Sequence, residues 1–292
     1  MKQFFILVLS CIAIYSSAQT EYAYQTFNDP RIINGYSVET KPQGIATFVI
    51  SHRFGDIYQN NASSILYNFF GFDGGANMRI AMDYAPTNWL MVGAGRSSFD
   101  KTYDLYAKGR ILRQSTGEKN MPISLSGYAD VSIITDTSDA LLDTFFVDRL
   151  NYAYQIFIAR KFNDAFSMQL APSFVHRNLV ATKAESNDVF AIGISAKWQF
   201  AKNVAINGEY YYTFPNQLLE GYTNYVGIGF DFITKGHVFQ LQITNSPYLI
   251  PTYFIANTQG KVFDKDAEGN FDLNIRFGFN IVRDFKIGGR QY

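Results

Sequence analysis

The feature that most constrains this chain is an alternation of apolar and polar residues with a period of two. Ile123, Leu125, Gly127, Ala129, Val131 and Ile133 alternate with Ser124, Ser126, Tyr128, Asp130 and Ser132. Successive side chains of a β-strand point to opposite faces, so one face of this segment is apolar and the other polar. The rhythm recurs from about Thr47 to Ile281. Repeated around a closed sheet, it sets an apolar wall against lipid and a polar wall around a lumen. A large soluble β-sandwich also alternates. Its polar face would meet water and carry many Lys and Glu, whereas much of the charge here falls between the alternating segments.

Twelve such segments are predicted, at approximately 46–54, 78–84, 89–95, 103–112, 122–133, 149–159, 166–176, 188–199, 203–214, 222–232, 237–245 and 271–282. Most approach the roughly 9–11 residues that a tilted spanning strand needs. The connections alternate in length. Ala85-Pro86-Thr87-Asn88, Asn163-Asp164, Ala201-Lys202 and Thr234-Lys235-Gly236 are tight turns. Between them lie the longer stretches 55–77, 134–148, 177–187 and 246–270. Short periplasmic turns and long extracellular loops are the pattern of outer-membrane barrels. Two connections fit it less well, since 113–121 is long for a turn and 96–102 short for a loop. The expected fold is all-β, a single transmembrane antiparallel β-barrel of about 12 strands, within a range of about 10–14.

Residues 1–18 read as a signal peptide: Lys2 is positive, Phe4 to Tyr15 form a short apolar core, and Ser16-Ser17-Ala18 are small. The apolar run is too short for a spanning helix of about 20 residues. Cys11 could mark a lipoprotein, but the apolar stretch before it is only about six residues, at the low end for a signal core. Cys11 is the only cysteine, so cleavage after Ala18 would leave no disulfide, thiolate metal site or cysteine nucleophile. Residues 19–45 lack the strand pattern. They read as a periplasmic lead, an added strand near Ile32 to Val38, or an inward-folded plug, ahead of a barrel at 46–292.

The 25 basic and 25 acidic residues balance, which gives no bulk attraction to nucleic acid. The excess lies in 20 Tyr and 27 Phe, residues that fit strands and the interfacial girdles of barrels. Tyr84 and Trp89, Phe162 and Phe166, and Trp198 and Phe200 flank three of the tight turns. Charge placement tests the register. Arg79 and Asp83 share a face opposite Met78, Ile80 and Met82, and Asp104, Lys108 and Arg110 share one opposite Tyr103, Leu105 and Ile111. A charge on the lipid face costs roughly 2–4 kcal/mol near the midplane, so a membrane enforces this one-sidedness. The inward set is Arg53, Arg79, Lys108, Arg110, Lys197 and Arg276 against Asp83, Asp104, Asp130, Glu209, Asp231 and Asp272. These charges either line a wet channel or cross-link a filled barrel, since buried charges must be paired.

No catalytic or metal constellation stands out, and no cofactor is expected. His52, His176 and His237 are the only histidines, and no two share a strand or turn. Ser51 points away from His52, so that strand carries no triad, and both His52 and His176 read as interfacial. Asp73-Gly74-Gly75 and Asp264-Lys265-Asp266 lack calcium-site spacing. Gly93-Ala94-Gly95-Arg96 has no following helix that could make it a phosphate loop, and its glycines read as relief of crowding in a curved sheet.

His52-Arg53-Phe54-Gly55, Gly93-Ala94-Gly95-Arg96-Ser97 with Asp100-Lys101, Thr244-Asn245-Ser246, and Gly278-Phe279-Asn280-Ile281 with Arg283 resemble a family of outer-membrane β-barrels from Bacteroidota. That family is of unknown function, so the resemblance implies fold and an outer-membrane location and transfers no catalytic residue. The function expected first is a passive or gated pore for small polar solutes, with outer-membrane lipid around it. The second is a structural or docking barrel that presents loops or its periplasmic segment to a partner. An outer-membrane enzyme comes third, for want of a catalytic cluster. An open lumen would favour the first and a plugged one the second.

Overall fold

The computed structural model describes residues 19–58, 63–136, 145–180, 182–265 and 271–287. The expected leader at 1–18 lies outside the described residues, as does Asp266. Twelve strands form the wall: β1 Ile45–Asp56, β2 Asn77–Tyr84, β3 Leu90–Ser97, β4 Tyr103–Leu112, β5 Ser124–Ile133, β6 Leu150–Lys161, β7 Phe166–Arg177, β8 Asp188–Ala201, β9 Val204–Thr213, β10 Tyr225–Thr234, β11 His237–Thr244 and β12 Arg276–Lys286. Each pairs antiparallel with the next in the chain, and β12 pairs with β1, so the barrel is closed. Closure leaves no row of unpaired backbone groups, which is what a sheet in lipid requires.

The period-two rhythm becomes an inverted burial pattern. Along β5, Ser124, Ser126, Tyr128, Asp130 and Ser132 are buried. Along β2, Asn77, Arg79, Ala81 and Asp83 are buried while Met78, Ile80 and Met82 are 41–48% exposed. Polar side chains face in and apolar ones face out, the reverse of a protein that buries apolar surface away from water. That reversal is stable only where the surroundings are themselves apolar.

The two connections that fitted poorly have local explanations. The long turn after β4 carries Ser115–Thr116, which pairs antiparallel with Glu21–Tyr22 of the lead segment. The short loop after β3 is a tight turn in which Asp100 and Lys101 take φ of 48° and 47°. The last predicted strand is displaced, running from Arg276 to Lys286 rather than over 271–282. Phe271–Asp272 instead pairs with Asp264–Lys265 in a two-residue ribbon outside the barrel. Asp272 therefore lies outside β12, a correction to the strand bounds that had put it in the inward set. Residues 273–275 separate that ribbon from the wall.

The lead segment is not an added strand. Residues 26–41 enter the barrel as a tight hairpin, with the Ile32 amide donating to the Gly35 carbonyl at 2.9 Å and the Ser37 amide to the Pro30 carbonyl at 2.8 Å. From the opposite rim, the long connection after β11 also turns inward. It carries a one-turn helix, α1, at Pro251–Phe254, with proline at its first turn and all four residues buried. The core thus sits inside the barrel. It joins Ile32, Ile33, Tyr36 and Val38 of the hairpin and Ile250, Phe254 and Ile255 of the inward loop to Tyr106, Phe157, Tyr211 and Tyr225 of the wall.

Candidate functional site

A twelve-stranded barrel is wider than the eight-stranded kind that side chains alone can fill. Here the extra width holds the hairpin. Its tip is gripped through its backbone: the amides of Asn34 and Gly35 donate to one carboxylate oxygen of Glu209 on β9, at 2.9 and 3.1 Å. The Tyr225 hydroxyl donates to the same oxygen at 3.1 Å. The Arg53 guanidinium on β1 donates to the Asn34 side-chain oxygen at 2.5 Å and to Gln242 at 2.9 Å. Asn34 also donates to the Tyr248 carbonyl of the inward loop at 2.7 Å. The two fillings therefore touch, and the lumen is occupied from one rim to the other along that line.

The hairpin's arms are held in the same way. Lys108 on β4 donates to the carbonyls of Pro30 and Ser37, at 3.2 and 2.9 Å, and so bridges the two arms. Gln169 on β7 accepts from the Val38 amide at 2.7 Å and donates to the Tyr36 carbonyl at 2.8 Å. Ser126 donates to the Val38 carbonyl, Gln240 to that of Ile32 and Asn280 to that of Ile33, at 2.7, 2.9 and 3.0 Å. A buried amide or carbonyl without a partner is costly. This wall supplies those partners to a hairpin that has few of its own.

One side chain of the hairpin is charged at full depth. Arg31 donates to the Tyr106 hydroxyl at 2.7 Å and to Asp83 at 3.3 Å, and its guanidinium lies 4.7 Å from the centre of the Tyr36 ring. Tyr36 in turn packs on Tyr106 and Tyr128, at centroid distances of 5.4 and 4.5 Å. At the hairpin root, Lys41 bridges Asp29 at 2.8 Å and Asp284 near the end of β12 at 2.9 Å. Burial by itself would lower the Lys41 ammonium, but the two carboxylates outweigh it and hold the group above the ordinary lysine value.

The sequence-predicted charges take up these places. Arg53, Arg79, Asp83, Asp104, Lys108, Asp130, Lys197, Glu209 and Asp231 are buried on the inner face. Arg110 and Arg276 sit at the rims: Arg110 donates to Thr40 at 2.9 Å, and Arg276 to the Asn245 carbonyl at 2.7 Å. Among the described side chains of the set, Arg79 and Asp104 form a direct pair. Lys197 donates to the Gln25 carbonyl at 2.7 Å, and Asp231 accepts from Asn28 at 3.0 Å and Gln240 at 2.8 Å. Most of the inward charge is thus spent on the hairpin and its supporting groups, not on a cross-link of wall to wall. Gly93 and Gly95 of β3 leave the room that the Tyr106 ring and the Arg79 guanidinium occupy.

Charge alone did not reveal the neutral grips Gln169, Gln240, Ser126 and Asn280. The signal that could have found them is the long amide side chain on the inward parity, as at Gln155, Gln169, Gln240 and Gln242. The wall also keeps polar atoms that the hairpin does not use, among them an Asp130 carboxylate oxygen, the Ser195 hydroxyl and the Asn207 side-chain oxygen.

Clefts flank the filling at both rims. The short-turn rim has one of about 710 Å³, lined by Tyr24, Asn28, Glu39, Arg110 and Arg113 among others. The long-loop rim has one of about 500 Å³, lined by Gly75, Asn77, Asp100, Pro247 and Arg276 among others. Among the described residues, no group of three or more His, Cys, Asp or Glu is placed to hold a metal ion.

The family described as Membrane bound beta barrel domain (DUF5777) matches residues 27–285, a span that takes in the hairpin as well as the wall. No curated relative matches the sequence. Among solved structures, the chain is similar to the KdgM porin in complex with disordered oligogalacturonate, at 10% identity and a TM-score of 0.48, covering 82% of this chain and 99% of that one. It is also similar to an outer membrane channel from Pseudomonas putida F1, at 13% identity and a TM-score of 0.46, covering 85% and 98%. Both TM-scores fall below 0.5, and the fold stands on the chain's own strand register.

Proposed function

This chain belongs to the membrane-bound β-barrel family, and from that premise we propose that it is a gated outer-membrane pore for small polar solutes, shut by its own N-terminal hairpin. The observation that carries this reading is how the hairpin is held. Glu209, Lys108, Gln169, Ser126, Gln240 and Asn280 bind it through backbone amides and carbonyls. Water can take over each of those bonds when the hairpin leaves, so the lining need not be buried dry. A barrel that served only as a solid pin would bury an apolar interior at lower desolvation cost. With the hairpin out, the wall charges nearly balance in sign, and the open path should select weakly among ions.

The short-turn rim, where the lead segment also lies, is read as periplasmic and the long-loop rim as extracellular. Among the described residues the lumen shows no catalytic constellation, and in this reading the barrel works as a pore and not as an enzyme. The filling of the lumen from both rims favours a second reading, a docking barrel that conducts nothing.

Planar-bilayer conductance separates the two. The full-length barrel should show rare, brief openings, and replacing 26–41 with a short Gly-Ser linker should give large, lasting ones. If that variant inserts and passes no current, even with residues 246–258 also shortened, the pore reading fails and the docking barrel stands.

A further inference from the structure

The long connection after β1 contains a stretch that the lumen does not use. Residues 64–72 read Ser-Ile-Leu-Tyr-Asn-Phe-Phe-Gly-Phe, without a charge. They form a one-turn helix, α2, at Ser64–Tyr67 and then a left-handed turn, with φ of 44° at Phe69 and 56° at Phe70. Bulky side chains rarely adopt that conformation, and it persists only where the surroundings impose it. The root of the stretch is pinned by close backbone approach: a Cβ on Gly55 of β1 would lie 2.8 Å from the Gly74 Cα and 3.3 Å from the Gly71 carbonyl oxygen.

The result is an apolar face turned away from the barrel. Leu66 is 74% and Tyr67 90% exposed, against 43% for Ile80 on the bare outer wall. Phe69 and Phe70 are exposed beside them. The face is not detached from the wall. Phe72 packs edge-on against Phe54 of β1 at 4.4 Å and against Phe277 of β12 at 5.8 Å, and Phe69 lies 5.5 Å from Phe72. Phe54 continues the row to His52 at 4.2 Å and to Phe279 at 6.1 Å. These rings cover the β12–β1 closure, where the register shifts between Arg276 and Gly278.

We propose that residues 64–72 are a membrane foot, seated in the lipid interface against the closing seam of the barrel. The occupant of this face is lipid, because the face is uncharged and continuous with the outward apolar wall of a membrane-bound barrel. Its rings and its single tyrosine have the composition of an interfacial anchor. Asp73, which follows directly, returns the chain to water. The inference rests on membrane embedding and not on conductance, so it can stand or fall apart from the pore.

The test uses the full barrel in phosphatidylcholine proteoliposomes, with Trp89→Phe and Trp198→Phe removing both native tryptophans. Phe70→Trp and, separately, Leu66→Trp then report on the foot, with Ile80→Trp as the wall control. A heat-modifiable gel band confirms that each variant is folded. Brominated phosphatidylcholine should cause a loss of emission from both foot probes at least as large as at the wall control, and aqueous iodide should cause none. Emission quenched by iodide and indifferent to bromine would place the face in water and overturn the proposal. Emission shielded from both quenchers in native membranes, but open to iodide in proteoliposomes, would assign the face to a protein partner and overturn it as well.

Discussion

The hairpin at 26–41 and the inward loop at 246–258 fill one lumen from opposite rims, yet the balance of forces that holds them differs. The hairpin hangs on hydrogen bonds from polar wall groups to its backbone, with Glu209 at its tip and Lys108 across its arms. The loop is held more by ring packing. Phe254 is fully buried, 5.1 Å from Tyr211 and 4.8 Å from Tyr225, while Tyr248 and Tyr253 pack edge-on against Phe99 at 4.7 and 5.2 Å. Polar bonds to the wall add to this, such as Thr252 with Ser132 at 3.0 Å and Asn77 to the Pro247 carbonyl at 2.9 Å. Water can substitute for a hydrogen bond to a backbone amide, but it cannot substitute for the apolar contacts of a buried phenyl ring. The hairpin also buries Ile32, Ile33, Tyr36 and Val38, but more of its hold is hydrogen bonding that water can replace, which makes it the more exchangeable of the two fillings.

The sharpest way to break this contrast is Phe254→Ala. Truncating a fully buried phenylalanine costs about 3–5 kcal/mol. The temperature at which the folded gel band converts to the unfolded one should drop clearly, and an unmoved midpoint would mean that the loop is not anchored by its rings. Glu209→Ala comes next. It strips the acceptor from the amides of Asn34 and Gly35, a loss of about 1–3 kcal/mol. Because two hairpin amides lose that acceptor against one wall donor, the Tyr225 hydroxyl, the loss should appear mainly as a roughly 5- to 150-fold rise in the open fraction in bilayers. The conversion temperature should hardly change. A variant that unfolds instead of opening would show that tip and wall are one cooperative unit.

The smallest effect should come from Lys101→Ala at the long-loop rim. The Lys101–Asp136 pair spans 3.3 Å, but its side chains are 57% and 30% exposed. Exposed pairs contribute about 0–1 kcal/mol, so neither melting nor conductance should move beyond error. A marked change in gating would reveal a third element of closure at that rim.

How much of this was readable before folding differs by region. The wall was, because each strand of a membrane barrel meets lipid on one side along its whole length, and that constraint writes itself into alternate residues. Met78, Ile80 and Met82 against Arg79, Ala81 and Asp83 already state which face is which. The last strand was misplaced by about one turn's length because Phe271 and Leu273 continue the apolar parity of Phe277 and Phe279 into a ribbon outside the wall. The hairpin left three readings open. Many of its contacts to the wall are made by backbone groups, which every residue carries, and Ile32 to Val38 shows no side-chain periodicity that would betray a partner.

The candidate site divides along the same line. Lys108, Glu209 and Arg53 could be assigned to the interior from parity and charge, since a charge facing acyl chains is excluded. That they would meet a hairpin rather than one another could not be so assigned. Lys108 and Pro30 are 78 residues apart, and Asn34 and Glu209 are 175 apart. By itself the sequence determined the class of fold, the outward and inward faces and the sign of the lining, because solvent on each side of a sheet acts on one residue at a time. Only the tertiary structure decided that the lumen is filled, by which segments and through which bonds. Filling depends on distances across the barrel, and those exist only once β12 has closed on β1.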